Sequence, residues 1–395
     1  MYATSLVCVW CGHKHEVSLI YRCEKCGGTL DVNYDYNRLF SSFSFNTVRN
    51  SHEHSIWKFR KLFPVQFDIR PVSLGEGDSP LIEADRLGKL IGHRPIYIKN
   101  ETVNPTLSFK DRPLSVALTV AKQFQISGVI TASTGNTGVA AAAYAAKAGI
   151  PCRIYVPRGT PQEKLVAMKI HGAHLAEVEG TFSDAYKIAE MESEKNKWFN
   201  LTSTFLNPYA IEGNKTIAYE IYLQFGGVPD WIVIPIGAGP LLVSCYKGFK
   251  ELMQSGEISQ LPRMVGVQAQ NCAPIVQAYV NRWNRVKPWN NPDTIATGIA
   301  DPLSSYPEDG TRTLRTIRES RGCAIAVDEE SIINYRKLMA DQEGIFAEPA
   351  AVTSVAAVKI LKEKGWLKPD ESIVCIVTGH GLKDLKSIGS KQEIP

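Results

Sequence analysis

The chain has 395 residues, which is too long for one small hydrophobic core and indicates two or three folding units. Its 44 basic and 40 acidic side chains give a net charge of +4 and are spread along the sequence. No block of Lys and Arg marks a surface for nucleic acid or lipid, and neither a signal peptide nor a membrane anchor is visible. We therefore expect a soluble protein of the cytoplasm that binds neither nucleic acid nor membranes.

Two cysteine pairs lie near the N-terminus, Cys8-Val-Trp-Cys11 and Cys23-Glu-Lys-Cys26, and each is followed by a glycine. Two such turns can place four thiolates around one zinc ion, and a site filled by thiolates is structural because it has no open position. The alternative is four free thiols on a flexible segment. The other five cysteines are scattered through apolar stretches and indicate reduced thiols in a reducing compartment. Residues 1–35 are thus predicted to form a zinc-ribbon-like segment.

From about residue 55 onward, predicted strands alternate with predicted helices. The strands are predicted at Arg94–Ile98, Val129–Ala132, Arg153–Val156, His174–Val178, Trp198–Asn200, Trp231–Pro235, Met264–Gln268 and Ser372–Thr378. The helices are predicted at Leu107–Phe124, Val139–Ala148, Gln162–His171, Ser183–Lys195, Ile211–Gln224, Glu329–Gln342 and Ala350–Glu363. This alternation predicts right-handed crossovers and mainly parallel sheets, and hence an α/β fold.

A candidate catalytic lysine lies in the segment Asn104-Pro-Thr-Leu-Ser-Phe-Lys-Asp-Arg112. Lys110 follows a loop at the start of a helix, with Leu107 and Phe109 nearby. An amine in an apolar pocket loses its proton more readily and can form an imine with an aldehyde. A lone lysine is usually a solvated surface charge, so this segment alone does not decide its role.

Two glycine-rich turns follow predicted strands and open predicted helices, Ser133-Thr-Gly-Asn-Thr-Gly138 and Pro235-Ile-Gly-Ala-Gly-Pro240. Backbone N–H groups at a helix N-terminus bind anions, although many strand–helix corners need glycine for geometry alone. Together with the lysine, the turns predict a carboxylate site at the first and a phosphate site at the second. The segment Val377-Thr-Gly-His-Gly-Leu-Lys-Asp384 follows the last strand, at the sheet edge where ligands bind. Its Thr378 hydroxyl could contact a ring nitrogen.

The order of these segments resembles the fold-type II enzymes that use pyridoxal 5′-phosphate (PLP), and most closely the threonine synthase-like group within the tryptophan synthase β-like family. Further matching stretches cover nearly the whole chain: Ser55-Ile-Trp-Lys-Phe-Arg60, Gly75-Glu-Gly-Asp-Ser-Pro80, Asn207-Pro-Tyr-Ala-Ile-Glu-Gly-Asn-Lys-Thr216 and Gly344-Ile-Phe-Ala-Glu-Pro349. The resemblance implies two open, mainly parallel sheets wrapped by helices, in addition to the N-terminal cysteine segment. It implies a large PLP domain at residues 36–100 and 226–395, a small mobile domain at 101–225, and a homodimer.

The resemblance also implies roles for individual residues. Lys110 would bind PLP as a Schiff base, act as the acid–base catalyst and carry the α-proton. Asn136 would contact the phenolic oxygen of the cofactor and Thr378 its ring nitrogen. The implied cofactor contacts are Lys110, Phe109, Asn136, Gly237, Ala238, Gly239, Leu241 and Thr378. The implied substrate contacts are Ser133, Thr134, Asn136, Thr137, Phe205 and Ala210.

Five positions depart from the family pattern. Leu107 and Pro113 replace two usual glycines, and Ala238 replaces an asparagine common in the cofactor-phosphate turn. Phe205 and Ala210 replace the serine and arginine that hold the substrate phosphate. Each lost charge-assisted contact to a phosphate costs about 1.5–3 kcal/mol. We therefore expect a PLP enzyme of amino-acid metabolism that eliminates or replaces a β- or γ-substituent on an amino acid lacking a terminal phosphate.

Other functions remain open at the level of sequence. An authentic threonine synthase could hold the phosphate of phosphohomoserine through different residues. The stretch Thr294-Ile-Ala-Thr-Gly-Ile299 suggests a serine or threonine dehydratase. A zinc-ribbon adaptor with a PLP-like domain, or a decayed enzyme kept for binding, is the non-enzymatic alternative, and the intact lysine and turns argue against it.

Overall fold

A computed structural model describes residues 1–160, 162–180 and 182–385, apart from the side chain of Glu163. The strands of these residues form three sheets. In chain order they are β1 (Ala3–Cys8), β2 (Lys14–His15), β3 (Leu30–Tyr34), β4 (Leu81–Glu83), β5 (Ile96–Asn100), β6 (Val129–Ala132), β7 (Cys152–Pro157), β8 (His174–Val178), β9 (Phe199–Asn200), β10 (Trp231–Pro235), β11 (Arg263–Ala269), β12 (Cys323–Val327) and β13 (Ile373–Val377).

The α-helices, again in chain order, are α1 (Tyr36–Ser42), α2 (Phe45–Arg49), α3 (Asp85–Ile91), α4 (Asp111–Gln123), α5 (Asn136–Ala148), α6 (Gln162–Ile170), α7 (Phe182–Asn196), α8 (Thr216–Phe225), α9 (Pro240–Gln254), α10 (Pro274–Val280), α11 (Pro307–Glu319), α12 (Glu329–Glu343) and α13 (Pro349–Glu363). Short 3₁₀ helices lie at Ile56–Leu62, Glu101–Val103, Ala210–Lys215, Thr297–Ile299 and Gly381–Lys383. None of the helices in the described ranges is long and apolar enough to cross a bilayer.

The chain divides into two compact units. Unit 1 consists of residues 1–78, 104–106 and 110–216. It contains the antiparallel sheet β2-β1-β3 and the parallel sheet β8-β7-β6-β9. Unit 2 consists of residues 79–103, 107–109 and those from 217 onward. It contains the sheet β12-β11-β10-β13-β5-β4, in which β4 alone runs antiparallel to its neighbour.

The central strands are apolar runs that are buried on both faces, as parallel sheets require. All of Trp231–Pro235 and Ile373–Val377 is buried, and so is Val129–Ala132 in the smaller parallel sheet. In unit 2 these strands form one hydrophobic cluster with residues of α3, α12 and α13. The predicted α/β class with mainly parallel sheets is confirmed.

The predicted helix at Leu107–Phe124 begins later in the structure, at Asp111. Residues 107–109 are instead paired with residues 378–380. The two segments are far apart in sequence, so no local pattern could reveal this pairing. The predicted helix at Ile211–Gln224 is also divided, into the 3₁₀ helix Ala210–Lys215 and then α8.

The predicted domain boundaries stay a prediction. The compact units differ from them at residues 101–103, 107–109 and 217–225, which lie in unit 2 rather than with the small domain, and at residues 36–78, which lie in unit 1 rather than with the large domain. The reason for the last difference is polar packing against α4. The Val72 N–H donates to Oγ1 of Thr119 at 2.9 Å, and Oγ of Ser115 donates to the Val72 carbonyl at 2.8 Å.

Candidate active site

Lys110 is the N-cap residue of α4, and the loop before it is closed by side chains on both sides. The fully buried carboxylate of Asp111 accepts hydrogen bonds from the Thr106 N–H at 2.8 Å and the Thr106 hydroxyl at 2.7 Å. Oδ1 of Asn104 accepts the Gly77 N–H at 3.0 Å. A carboxylate in the first turn is also favoured by the helix dipole. The backbone at Lys110 is therefore held firmly, while its side chain is half-buried.

A buried carboxylate, Glu76, ties α4 to α5. It accepts hydrogen bonds from Nε1 of Trp57 at 3.0 Å and from the Tyr144 hydroxyl on α5 at 2.8 Å. Nε1 of Trp57 also donates to Oγ of Ser115 on α4 at 2.9 Å. Burial, together with the carboxylates of Asp111 and Glu76, raises the pKa of Tyr144 well above its usual range, so its hydroxyl remains a neutral donor. The Gly75–Pro80 motif by itself indicated no role for Glu76, because its partners on α4 and α5 are distant in sequence.

The residues just before Lys110 pair with the segment that follows β13. The Phe109 N–H donates to the Thr378 carbonyl, and the His380 N–H donates to the Leu107 carbonyl, each at 3.0 Å. Thr378 is buried and Phe109 is half-buried. This pairing lies within unit 2 and joins residues 107–109 to the Thr-Gly-His-Gly motif.

Leu107 has a backbone φ of +62°, in the left-handed region. This conformation costs a residue with a side chain about 1–2 kcal/mol, and the resembling family usually has glycine at this position. The side chain is half-buried. Strained residues of this kind cluster at functional sites, where the surrounding structure holds them in place.

Ser108 and Glu348 also lie in this region, and their motifs alone predicted no role for them. Ser108 pairs with Gly379 and is fully buried, and its Oγ has no hydrogen-bond partner in the described part of the chain. A Cβ atom at Gly379 would lie 2.5 Å from Oε1 of Glu348, so the carboxylate fills the space that a side chain would take. The Glu348 N–H donates to the Gly379 carbonyl at 3.0 Å. The quoted Gly344–Pro349 motif contains Glu348 but does not reveal what it faces.

The turn after β10 leads into α9, and no side chain caps the N-terminus of this helix. Gly239 is the N-cap residue at φ +93°, Pro240 follows it, and no side chain caps the helix. A Cβ at Gly239 would be strained and would collide with Thr313, whose Oγ1 donates to the Ala238 carbonyl at 2.5 Å. The first-turn N–H groups of a helix have no partner within the helix. The turn therefore suits a phosphate.

The other predicted contacts of this turn, Gly237 and Leu241, flank the N-cap. Leu241 is buried in the first turn of α9. A Cβ at Gly237 would lie 3.1 Å from the Cβ of Asp301. Asp301 and Thr313 reach the turn from distant parts of the chain, so the local sequence carried no signal for them.

The turn that opens α5 is closed by its own serine. Oγ of Ser133 accepts the N–H of Gly135 at 3.2 Å and the N–H of Gly138 at 2.9 Å. Its hydroxyl proton can still be donated to an anion. Ser133 and Thr137 are buried, whereas Thr134 and Asn136 are half-buried.

The segment that carries Phe205 and Ala210 packs against the start of α4. Gly213 is required here because a Cβ would collide with the carbonyl oxygen of Arg112. Nη1 of the fully buried Arg112 donates to Oγ1 of Thr216 at 2.9 Å. Phe205 is fully buried and Ala210 is 9% exposed. The structure thus brings the segment of Ala210 to the helix that begins directly after the lysine.

The four N-terminal cysteines form one cluster. Their sulfur atoms all lie within 4.8 Å of one another, with 3.4 Å between Cys8 and Cys26 and 3.7 Å between Cys11 and Cys23. The N–H of the glycine after each pair donates to the carbonyl of the pair's first cysteine, at 3.0 Å and 2.8 Å. The cluster could hold a metal ion, and four sulfur donors fit a tetrahedral site.

The residues of the core fit PLP as well. In unit 1, Lys110 at the end of a fixed loop is a lysine for the aldehyde. In unit 2, the uncapped N-terminus of α9 suits the phosphate, and the buried Ser108 hydroxyl has an unused donor.

Residues 72–379 match the model of a family described as pyridoxal-phosphate dependent enzyme. The chain belongs to this family. It is 40% identical to a threonine synthase of Methanocaldococcus jannaschii over 380 residues, which cover 95% of this chain and 92% of that protein. It is 41% identical to a threonine synthase of Methanosarcina acetivorans over 387 residues, which cover 97% and 93%.

Among solved structures, the processed form of threonine deaminase isoform 2 from Solanum lycopersicum matches with a TM-score of 0.67 and 22% identity, covering 95% of this chain and 98% of that one. This likeness shows the fold. The predictions of a fold-type II PLP enzyme and of a threonine synthase-like protein are confirmed. The roles of the individual site residues stay predictions.

Proposed function

We propose that the protein eliminates or replaces a β- or γ-substituent on an amino acid whose distal group is not a phosphate. The observation that carries this proposal is the apolar character of the segment packed against the start of α4. Phe205 and Ala210 occupy its two positions where the resembling family holds a phosphate, and both are buried. A dianion beside apolar side chains keeps a large desolvation cost.

In this proposal each residue has a defined task. PLP, when bound, supplies an electron sink for the carbanion at the substrate α-carbon. The Nζ of Lys110 anchors the cofactor and moves the α-proton. The contacts of Asp111 and Asn104 hold the backbone from which this side chain extends. The Ser133 and Thr137 hydroxyls and the N–H groups of their turn orient the substrate carboxylate. The neutral Thr378 hydroxyl would contact the ring nitrogen of bound PLP and would leave it less protonated than a carboxylate would.

A second candidate is an authentic threonine synthase. It is favoured by the two relatives of that name, at 40% and 41% identity over 95% and 97% of this chain. This function would require other groups to hold the phosphate of phosphohomoserine.

The assay that separates the two measures phosphate release and threonine formation from phosphohomoserine by the unmodified holoenzyme. A panel of amino acids with neutral β- or γ-substituents is measured in parallel. We expect kcat/KM for phosphohomoserine to lie about 100-fold or more below that of the best panel member. A value of about 10⁴ M⁻¹ s⁻¹ or higher for phosphohomoserine, with no better panel member, would contradict the proposal and establish the second candidate.

The variant Ala210→Arg tests the same position by restoring a phosphate ligand. We expect it to raise kcat/KM for phosphohomoserine by about tenfold or more, since a charge-assisted contact is regained. Ala210→Met adds bulk without charge and should give no gain. The double variant with Phe205→Ser should add to the effect, but loss of a buried aromatic ring costs about 3–5 kcal/mol, so the single variant is the cleaner test.

For the cysteine cluster we propose structural zinc, because four thiolates fill its tetrahedral coordination. Metal analysis of protein purified without chelators should find about one zinc per chain. The homodimer stays a prediction, which sedimentation of the holoenzyme would test.

A further inference from the structure

The cysteine ribbon, residues 1–35, is hydrogen-bonded to the segment 199–216. The Tyr21 hydroxyl accepts the Asn200 N–H at 2.8 Å. The Tyr209 hydroxyl donates to the Ser18 carbonyl at 2.6 Å. Burial raises the pKa of both tyrosines above the usual value, so both hydroxyls stay neutral. The ribbon therefore contributes two of the hydrogen bonds that fix this segment.

A third connection runs through a buried ion pair. Glu212 and Lys215 are 1% and 0% exposed, and Oε2 of Glu212 lies 2.7 Å from Nζ of Lys215. The Tyr34 hydroxyl, on strand β3 of the ribbon, donates to the same oxygen at 2.6 Å. The Lys215 ammonium also lies 4.3 Å from the centre of the Tyr34 ring, within range of a cation–π contact. A buried ion pair is favourable only when its remaining hydrogen-bonding groups are satisfied, and the Tyr34 hydroxyl supplies one of those hydrogen bonds.

A metal bound by the four cysteines would restrict where Ser18 and Tyr21 lie. Ser18 and Tyr21 belong to the span between the two cysteine pairs, and the sulfur atoms of Cys11 and Cys23, which bracket it, are 3.7 Å apart. A metal that joins the pairs closes this span and removes most of its conformational freedom. Without that closure, ordering Ser18 and Tyr21 against the segment would cost more entropy.

The segment in turn reaches the candidate active site. Gly213 packs on the Arg112 carbonyl, close after Lys110, and Ala210 opens the 3₁₀ helix that contains the ion pair. The pairing of β1 with β3 links Cys8 to the strand that ends at Tyr34. Tyr34 contacts the ion pair, and the 3₁₀ helix of the ion pair packs on the start of α4.

We propose that the metal-held ribbon positions the segment 199–216 for substrate binding, with Tyr34 as its main positioning residue. Loss of the Tyr34 contact or of the metal then loosens the segment and weakens binding of the amino acid, while the chemical step is little changed. The link to substrate binding rests on the proposed function, since it assumes that Ala210 faces the distal group of the substrate.

The test uses the PLP- and zinc-loaded enzyme and measures amide hydrogen exchange in peptides that cover residues 199–216. We expect Tyr34→Phe to speed this exchange about three- to tenfold, as loss of one buried hydrogen bond would. Tyr34→Leu, which also removes the ring above Lys215, should have a larger effect. Removal of the metal by a chelator should act in the same direction, and added Zn²⁺ should reverse it.

Tyr2→Phe is the matched control, because Tyr2 also lies in the ribbon but its hydroxyl pairs with Oγ of Ser42 at 2.7 Å. It should leave exchange in 199–216 unchanged. Tyr209→Phe changes a residue of the segment itself and removes its hydrogen bond to Ser18 of the ribbon. It should also speed exchange in 199–216, so the test stays decisive if a Tyr34 variant folds poorly. Unchanged exchange in Tyr34→Phe and in metal-free protein would overturn the proposal.

Kinetics test the link to binding. For whichever amino acid the enzyme turns over best, Tyr34→Phe should raise KM about three- to tenfold and leave kcat within about twofold. A fall in kcat with KM unchanged would overturn the positioning role. If phosphohomoserine proves to be the best substrate, the proposed function fails. The changes in KM and kcat that Tyr34→Phe causes with that substrate still decide the role of the ribbon.

Discussion

Two turns of the molecule share the same order of elements, a buried parallel strand followed by glycines and a helix. They differ in whether a side chain accepts hydrogen bonds from their backbone N–H groups. The turn at 133–138 in unit 1 is closed by Ser133, whose Oγ accepts two of its N–H groups. The turn at 235–240 in unit 2 has no side-chain cap and opens on Gly239 and Pro240. Two backbone N–H groups of the first turn are therefore already hydrogen-bonded to a side chain, whereas no side chain caps the helix that follows the second turn.

The difference fits the charge that each turn is proposed to bind. A carboxylate carries one negative charge and can be held by hydroxyls and a few N–H groups. A phosphate carries more charge and more acceptor oxygens, so it gains from every first-turn N–H group of the 15-residue helix α9. Glycine spacing, which both turns show, did not reveal that a serine accepts the N–H groups of one turn while the other has no side-chain cap.

The largest effect is expected where the bare turn is altered. Gly239→Ala places a Cβ against Thr313 at a φ of +93°, so the turn must shift. We expect PLP affinity to fall by about 10- to 100-fold, because strain of about 1–2 kcal/mol adds to the lost donor geometry. The dissociation constant of PLP, from absorbance or fluorescence titration of the apoenzyme, measures this.

Gly135→Ala is the matched control in the other turn. A Cβ there meets no atom within 4 Å, and the residue does not need a positive φ. PLP affinity should stay within about threefold of the unmodified protein, a difference of less than about 1 kcal/mol. Equal losses of affinity in the two variants would show that the turns do not differ as described.

A smaller effect is expected from Ser133→Ala, which removes the acceptor of two N–H groups. Leaving the buried N–H of Gly138 without its acceptor costs about 1–3 kcal/mol of stability. We also expect KM for the amino-acid substrate to rise about five- to tenfold, because the carboxylate loses a hydroxyl donor, while PLP affinity is kept. Chemical denaturation and steady-state kinetics provide the two readouts. Weaker PLP binding with an unchanged KM would reverse the assignment of the two anions.

The smallest effect concerns pH. The turn at 133–138 contains only Ser, Thr, Gly and Asn, none of which titrates near neutrality, whereas His380 lies beside Thr378 in unit 2. Burial and the charge of Lys383 lower the pKa of His380 below 6.5. As pH falls through 6.5, the unfolded chain takes up a proton before the folded protein does, so stability present above pH 6.5 is lost towards the lower folded pKa.

Denaturation of the unmodified protein between pH 7 and 5 should show this loss, and His380→Asn should reduce the slope of unfolding free energy against pH in that window. Identical slopes in the two proteins would mean that His380 titrates alike in both states.

The sequence predicted those parts of the fold that depend on local pattern. The strands Val129–Ala132, His174–Val178 and Trp231–Pro235 have the predicted bounds, because short buried apolar runs between turn residues determine them. The strand Cys323–Val327 was not predicted, although it pairs with β11. The start of α4 was placed too early, because the pairing of residues 107–109 depends on a partner that local sequence does not reveal.

The same division applies to the candidate site. Lys110, the two turns and the cysteine pairs could be proposed from the sequence because each is a contiguous motif. Thr313 and Glu348 were missed as contacts, since each approaches its glycine from a distant part of the chain. The role of Tyr34 was missed for the same reason, because only the folded ribbon brings it to Glu212.

The most direct test of the account is to locate the cofactor on the chain. Borohydride reduction of the PLP-loaded enzyme, followed by proteolysis and mass spectrometry, should place a single phosphopyridoxyl group on Lys110. The variant Lys110→Ala should lose both the label and measurable turnover, whereas Lys122→Ala, an exposed lysine on the same helix, should keep both. A label on another lysine of the unmodified enzyme, or full activity of Lys110→Ala, would contradict the account.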